Sequence, residues 1–460
     1  MAGSGPYYMK AYSPGTSYLL QANPAYAQNP FCTWTGCQPA AGQYVASVSV
    51  TWETSQLPGE LAYQAGEADF ATIPTTDTAL LLNLVQEGKI GVTAFPTISI
   101  NFFPFNLNFN VAGAKQFDTS PISVPSNFFA ATAVRQFFAN AYPYSTVQST
   151  INTVDGVTYY FQQHGAIPQY MGNYYPANIT WPSGDPTDNP SQAGSAAWWW
   201  AQGHNASSPY YDPQLAACTS SSPCEFPLLG ELGAPNVDEI YSDWIHEITT
   251  LTGGAVKVDV IDITFLQLVI YSLFSGPYQN PMPFYTLGWA PDYPDPTDYM
   301  APLYVADGSY TASDTVNEEL VAGGVSNSTY TNPYWSASCP TADTTHTPLN
   351  SSIGNLIAYA HLATQTPSAP GIPTACEGAA YSEMQWGMKV AAVELNLNER
   401  ALLYNLVEQI DSGLQLYTWM GQQNAVISYA PWINPSTFDP NITLGGIDNP
   451  WFFYGGNGVL

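Results

Sequence analysis

Between residues 237 and 304 the spacing of apolar residues changes period three times. Val237 to Leu251 carries Ile240, Trp244, Ile245 and Ile248 at helical spacing and stops at Gly253-Gly254. Val256-Lys-Val-Asp-Val-Ile-Asp-Ile263 then predicts a strand, Thr264 to Phe274 a second helix, and Phe284 to Trp289, short and β-prone, a buried strand. Helix, strand, helix, strand is the repeat of an α/β fold with a mainly parallel sheet.

The last strand runs into Pro291, Pro294 and Pro296, which cannot continue a ladder. A residue before proline is pushed towards extended backbone. Asp295-Pro296 reads as a helix start, with aspartate at the N-cap, proline at the first helical position and Asp298 in the first turn. Pro302 keeps that helix short. The strand therefore ends by presenting Trp289, Asp292 and Tyr293 at its carboxyl end, where open α/β sheets bind ligands. Asp292 can hold a cation, most simply an ammonium, through a charge-assisted hydrogen bond. Trp289 and Tyr293 offer flat apolar or cation–π surfaces beside it. The alternative is a proline-rich surface turn with Asp292 and Asp295 solvated.

Gly288-Trp-Ala-Pro-Asp-Tyr-Pro-Asp-Pro296 resembles the signature of the solute-binding proteins of peptide-type ABC transporters, the dipeptide/oligopeptide family 5. In that family the aspartate three residues after the tryptophan holds the peptide α-amino group, a position matched here by Asp292. The tryptophan lining the pocket is matched by Trp289. Other segments are similar in the same order. They are Gly3-Ser-Gly-Pro-Tyr7, Asn23-Pro-Ala-Tyr26, the Gly66-Glu-Ala-Asp69 element, the helix around Ala133-Val-Arg-Gln136, Tyr211-Asp-Pro-Gln-Leu-Ala216 and the late helix Asn398–Gly413 with Arg400 and Tyr404. Leu416-Tyr-Thr-Trp419 follows, where the family places an aromatic that closes on the ligand; Trp419 matches it.

The resemblance implies a two-lobed, type II periplasmic-binding-protein-like α/β fold, with mixed sheets, helices on both faces and a hinged cleft. One lobe is expected from 1–111 with 426–460, the other from 112–425, the hinge being crossed near 111 and 425. The family's amino-terminal third is expected to lie outside this chain, which leaves room for a companion amino-terminal fragment. The implied partners are a peptide or oligosaccharide ligand and an ABC permease. The implied site is extracellular or at the cell surface, tethered to the membrane through a part not in this chain.

Charge narrows the alternatives. Seven Lys and Arg stand against 35 Asp and Glu, for a net charge of −28. Seven cations build no basic patch, so nucleic acid is excluded as a partner. Most carboxylates cannot be ion-paired, which points to an acidic extracellular setting; an ordinary acidic secreted protein is the other reading. No run of about 18 apolar residues is present to span a membrane, and no secretory leader is visible at Met1.

Six cysteines allow fifteen pairings, of which Cys32–Cys37, Cys218–Cys224 and Cys339–Cys376 are the simplest, and none has zinc spacing. Disulfides imply an oxidising compartment. Glycosylation sequons stand at Asn178, Asn205, Asn327, Asn350 and Asn441, a number that chance would give in a chain so rich in Asn, Ser and Thr. Residues 171–213 read as a surface insertion packed by Trp198, Trp199 and Trp200, or as a stacking platform for ligand or glycan.

Catalytic and cofactor chemistry is absent. Histidines 164, 204, 246, 346 and 361 are scattered, and His246-Glu247 lacks the second histidine of a zinc protease. Asp118-Thr-Ser and Asp411-Ser-Gly faintly resemble paired protease aspartates, but Asp411 falls in the last turn of a helix. No enzyme, cofactor or metal is expected. The rival to a binding protein is a structural surface-layer or filament subunit built on the same fold.

Overall fold

The computed structural model describes residues 7–24, 45–52, 57–71, 77–117, 122–179, 181–182, 186, 189–232, 235–321, 339, 353–364 and 371–433. They fall into two compact units, the first drawn from 1–97, 153–159 and 424–460, the second from 98–152 and 160–423. The resemblance put the passages between lobes near 111 and 425.

In the first unit, β1 (Tyr7–Ser13), β2 (Ser17–Ala22) and β3 (Ser47–Thr51) form an antiparallel meander. Tyr12 and Tyr18 pack on Trp52 at its end. Helix α1 (Leu57–Gln64) stops at Gly66, whose φ of +74° suits a residue without Cβ. The short strand β4 (Phe70–Ala71), helix α2 (Thr78–Gln86) and the start of β5 (Gly91–Pro104) follow. Tyr63, Leu81, Leu84, Ile90 and Ala430 make a small separate core.

The chain enters the second unit within β5, between Thr97 and Ile98. A single turn at Phe128–Ala130 precedes α3 (Thr132–Ala141), the helix expected around residues 133–136. Helix α4 (Ala196–His204) carries the tryptophans. Strand β6 (Cys224–Glu231), helix α5 (Pro235–Thr252) and strand β7 (Val256–Ile263) form a parallel crossover unit. Helix α6 (Phe265–Phe274) starts with a reciprocal capping box between Thr264 and Gln267.

Strand β8 (Leu287–Trp289) is antiparallel to β5, with Leu287 opposite Phe102 and Trp289 opposite Ile100. The stretch expected as one strand, residues 284–289, thus has a parallel neighbour in β6, where Tyr285 lies opposite Leu229, and an antiparallel one in β5, so the parallel expectation holds on one side only. Period alone identifies strands, not their partners, and β5 is remote in sequence. Helices α7 (Thr297–Leu303), α8 (Ile353–Thr364), α9 (Glu377–Val393) and α10 (Leu397–Leu414) follow. Asn396, not Asn398, caps α10 by accepting the Asn398 N–H. The chain returns along β9 (Tyr417–Tyr429), beside β5, whose end pairs with β4 in the first unit.

The second unit's core is aromatic. Phe105 stacks on Phe284 at 5.0 Å, and Phe103, Phe129, Phe138 and Trp244 close round them. Each buried aromatic removes 150–250 Å² from water, so such a cluster dominates the local energetics. Arg135 ties α3 to it. Its guanidinium is fully buried, pairs with Glu377 at 3.0 Å and donates to the carbonyls of Phe129, Ala130 and Leu414. Cys218–Cys224 and Cys339–Cys376 are bonded; Cys32 and Cys37 lie outside the described residues.

Candidate functional site

The loop after β8 is held from both sides. Gly288 lies so close to β5 that a Cβ there would stand 2.4 Å from Asn101 Oδ1 and 2.7 Å from the Ile100 carbonyl, so only glycine fits. The Gly288 carbonyl accepts the Tyr310 hydroxyl at 2.9 Å, and Trp289 meets the Tyr310 ring edge-on. Pro291 is buried, whereas Asp292, Tyr293 and Pro294 are exposed. The structure thus brings Trp289, Asp292 and Tyr293 together on one short turn.

Asp295 fixes the base of that turn. Its carboxylate meets the Arg400 guanidinium in a fork, at 2.8 and 2.6 Å, and accepts the Thr297 N–H at 2.9 Å, which starts α7. Burial works to raise the Asp295 carboxyl, but the bonds from Arg400 and Thr297 outweigh it and hold it below the ordinary aspartate range. Arg400 is itself braced. It lies over the rings of Tyr174 and Tyr404 at 5.5 and 5.3 Å and donates to the Ala391 carbonyl at 3.0 Å. The solvated role left open for Asp295 is thereby excluded. Arg400 could be seen in sequence as one of seven cations, yet nothing local named its partner 105 residues away.

Trp419 does not join this turn. It is 1 % exposed and packs against Phe102, Tyr304 and Tyr417, so in this arrangement it has no surface to offer a ligand. An apolar side chain at the start of a central strand reads alike whether it faces a core or a ligand, which is why the sequence could not separate the two. The tryptophan run is corrected in the same way. Trp198 and Trp199 are buried against Tyr210, and the half-buried Trp200 packs at a tilt on its own helix's His204, which rules out an open platform.

Behind Trp419 lies a second group of carboxylates. Glu408 and Asp411, both fully buried on α10, share the Tyr304 hydroxyl at 3.3 and 2.7 Å. Glu408 also accepts the N–H groups of Ala166 and Ile167, at 2.9 and 3.0 Å. Burial pushes both carboxyls up, Asp411 to about 7; the Asp411 charge raises Glu408 further, whereas the Tyr304 hydroxyl, the Leu416 N–H and the Arg135 charge pull Asp411 back down. Asp411 thus sits inside a helix, with no second aspartate loop facing it among the described residues; Asp118 lies outside them.

A cavity of about 160 Å³ between Asn127, Asp212, Gln214, Glu319, Thr374 and Glu377 is separate from the turn. Its three carboxylates are engaged with Gln214 and Leu215 N–H groups, with Asn108 and with Arg135. No group of three metal-ligating side chains exists among the described residues, and no helix among them is long and apolar enough to cross a membrane. Of the sequons, Asn178 and Asn205 are exposed, and Asn327, Asn350 and Asn441 lie outside the described residues.

Comparison with known proteins bears on the identity. The family model for bacterial extracellular solute-binding proteins, family 5 middle, matches residues 1–217. The solved structure of the oligopeptide-binding protein AppA from Bacillus subtilis, in complex with a nonapeptide, is similar to 98 % of this chain at 13 % identity, with a TM-score of 0.59. The ABC transporter substrate-binding protein CtaP from Listeria monocytogenes is similar over 96 % at 12 % identity, TM-score 0.58. DppA from Helicobacter pylori, in complex with the peptide STSA, is similar over 98 % at 13 % identity, TM-score 0.57. The chain spans 66 %, 66 % and 62 % of these structures. The likeness shows the mixed α/β fold of type II solute-binding proteins. No curated protein matches the chain in sequence.

Proposed function

We propose that this chain is part of the extracellular solute-binding component of an ABC importer, and that it captures peptides by their α-amino group at the Asp292 turn for delivery to a membrane permease. The observation that carries this reading is an exposed carboxylate on a rigid support. Asp292 has no cation partner among the described residues, stands beside Trp289 and Tyr293, and is carried by a turn that Arg400 locks in place. A fixed carboxylate next to apolar and aromatic surface suits an ammonium group followed by an uncharged peptide stem. The family match, and the peptides bound to AppA and DppA, support the same class of ligand.

The test is calorimetry on the full chain with free and N-acetylated forms of one peptide. Asp292→Asn keeps size and hydrogen bonding and removes charge. It is expected to weaken the free-amine peptide by about tenfold or more and to leave the acetylated one unchanged, since truncating a desolvated charge pair costs about 2–5 kcal/mol. Equal affinity of the wild type and the variant for both peptides refutes the anchor. Binding of oligosaccharide alone replaces the peptide reading with stacking on Trp289.

A further inference from the structure

Asp298, in the first turn of α7, is 8 % exposed, a rare setting for a carboxylate without a cation beside it. Its Oδ2 accepts the Asp292 N–H at 2.5 Å. The Tyr293 N–H and the Trp289 indole lie near enough to favour its ionised form, although the buried Trp289 Nε1 makes no hydrogen bond among the described residues. The Asp292 N–H thus bonds the exposed turn directly to Asp298. Below it, the Asp298 N–H is bonded to the Asp295 carbonyl at 3.0 Å, and Asp295 is clamped to Arg400.

We propose that Asp298 is a positioning residue, holding the Asp292 N–H under the turn so that the Asp292 carboxylate stays aimed outwards at a ligand's ammonium group. This rests on the reading that the turn binds peptides. The two carboxylates divide the work: Asp295 ties the base of the turn to α10, and Asp298 ties its tip. A second effect is electrostatic. Two neighbouring carboxylates with one exposed face make a negative site that favours an ammonium and repels a peptide's carboxyl end. Burial, and then the Asp292 charge, push the Asp298 carboxyl up, while the three N–H groups work against them. Removing the carboxylate leaves the Asp292 N–H without its acceptor and frees the turn to sample other arrangements, so ligand binding must then order it.

The experiment compares wild type, Asp298→Asn and Asp298→Ala as full chains, after melting curves show which are folded. Two quantities are read: the affinity ratio between tetra-alanine and its N-acetylated form, and ligand-free amide hydrogen exchange across residues 288–294. Asp298→Ala is expected to lower the ratio at least tenfold and to speed exchange in this segment by tenfold or more. Asp298→Asn keeps an acceptor oxygen of the same size and is expected to fall between the two. Should the alanine variant fail to fold, the asparagine variant decides. Wild-type ratio and wild-type exchange in Asp298→Asn overturn the proposal. A wild type that binds neither peptide refutes the peptide reading, and the exchange comparison still shows whether Asp298 holds the turn.

Discussion

Two groups of acids on or beside α10 are kept in opposite ways. Asp295 sits at the surface side, half-buried, and is neutralised by the two-pronged contact with Arg400. Glu408 and Asp411, two and three turns further along the same helix, are fully buried with a tyrosine hydroxyl and backbone N–H groups around them. Arg135 reaches Asp411 only as a distant charge, and its own guanidinium is engaged with Glu377. The first solution uses a cation, and the second a proton. A chain with 7 basic and 35 acidic residues cannot use the first everywhere, so the buried acids far from an arginine are held by the second. One consequence is that the turn carrying Asp292 is braced by charge, whereas the interior behind Trp419 responds to pH.

The largest effect that would break this comparison is at Arg135. Arg135→Ala strands Glu377 in the core and should cost about 3–5 kcal/mol, read from denaturant midpoints. Glu408→Gln, although equally buried, should change stability at pH 7 by less than about 1 kcal/mol, because its oxygen still accepts the Ala166 and Ile167 N–H groups and no charge is left behind. Similar losses in both variants would show that Glu408 is held as a charge and that the two solutions are one.

Next in size is the dependence of stability on pH. Asp411 titrates at about 7 in the folded protein against an ordinary 3.8. The raised folded value means that the native state binds the extra proton, so its contribution is complete below the unfolded value and is lost as pH rises through about 7. About three units correspond to roughly 4 kcal/mol. Asp295 has the opposite sign: its folded value is depressed, so its contribution is present above 3.8 and is lost as pH falls below that. The melting temperature should therefore rise on going from pH 8 to about pH 4 and turn down in stronger acid. Asp411→Asn combined with Glu408→Gln should flatten the rise and leave the acid limb. A wild-type profile that falls steadily from pH 8 to pH 4 would contradict the proton-held account.

The smallest effect sharpens the other side. Arg400→Lys keeps the charge and loses the fork, and should lower global stability by about 1 kcal/mol or less. Its exchange protection at residues 291–297 should nevertheless drop well below that of the wild type, since the lost contact fixes a turn and not the core. Uniform loss of protection across α10 and the turn would mean that Arg400 acts on the whole unit.

The sequence determined what depends on near neighbours. The periods of Val237–Phe274 gave helix, strand and helix, because side-chain spacing of 3.6 and 2 is local. The prolines at 291, 294 and 296 ended β8 where expected, and Cys218–Cys224, six residues apart, is bonded as its spacing suggested. The charge imbalance already implied that most acids would lack a cation. Only the tertiary structure decided which acids those are. It also decided that β8 pairs antiparallel with β5, that Trp198, Trp199 and Trp419 are interior packing, and that Asp298 and Arg400 support the turn from below. The physical reason is the same in each case. An aromatic or a carboxylate has one local signature in water-facing and buried positions alike, and what separates them is the partner that packing brings from a hundred or more residues away.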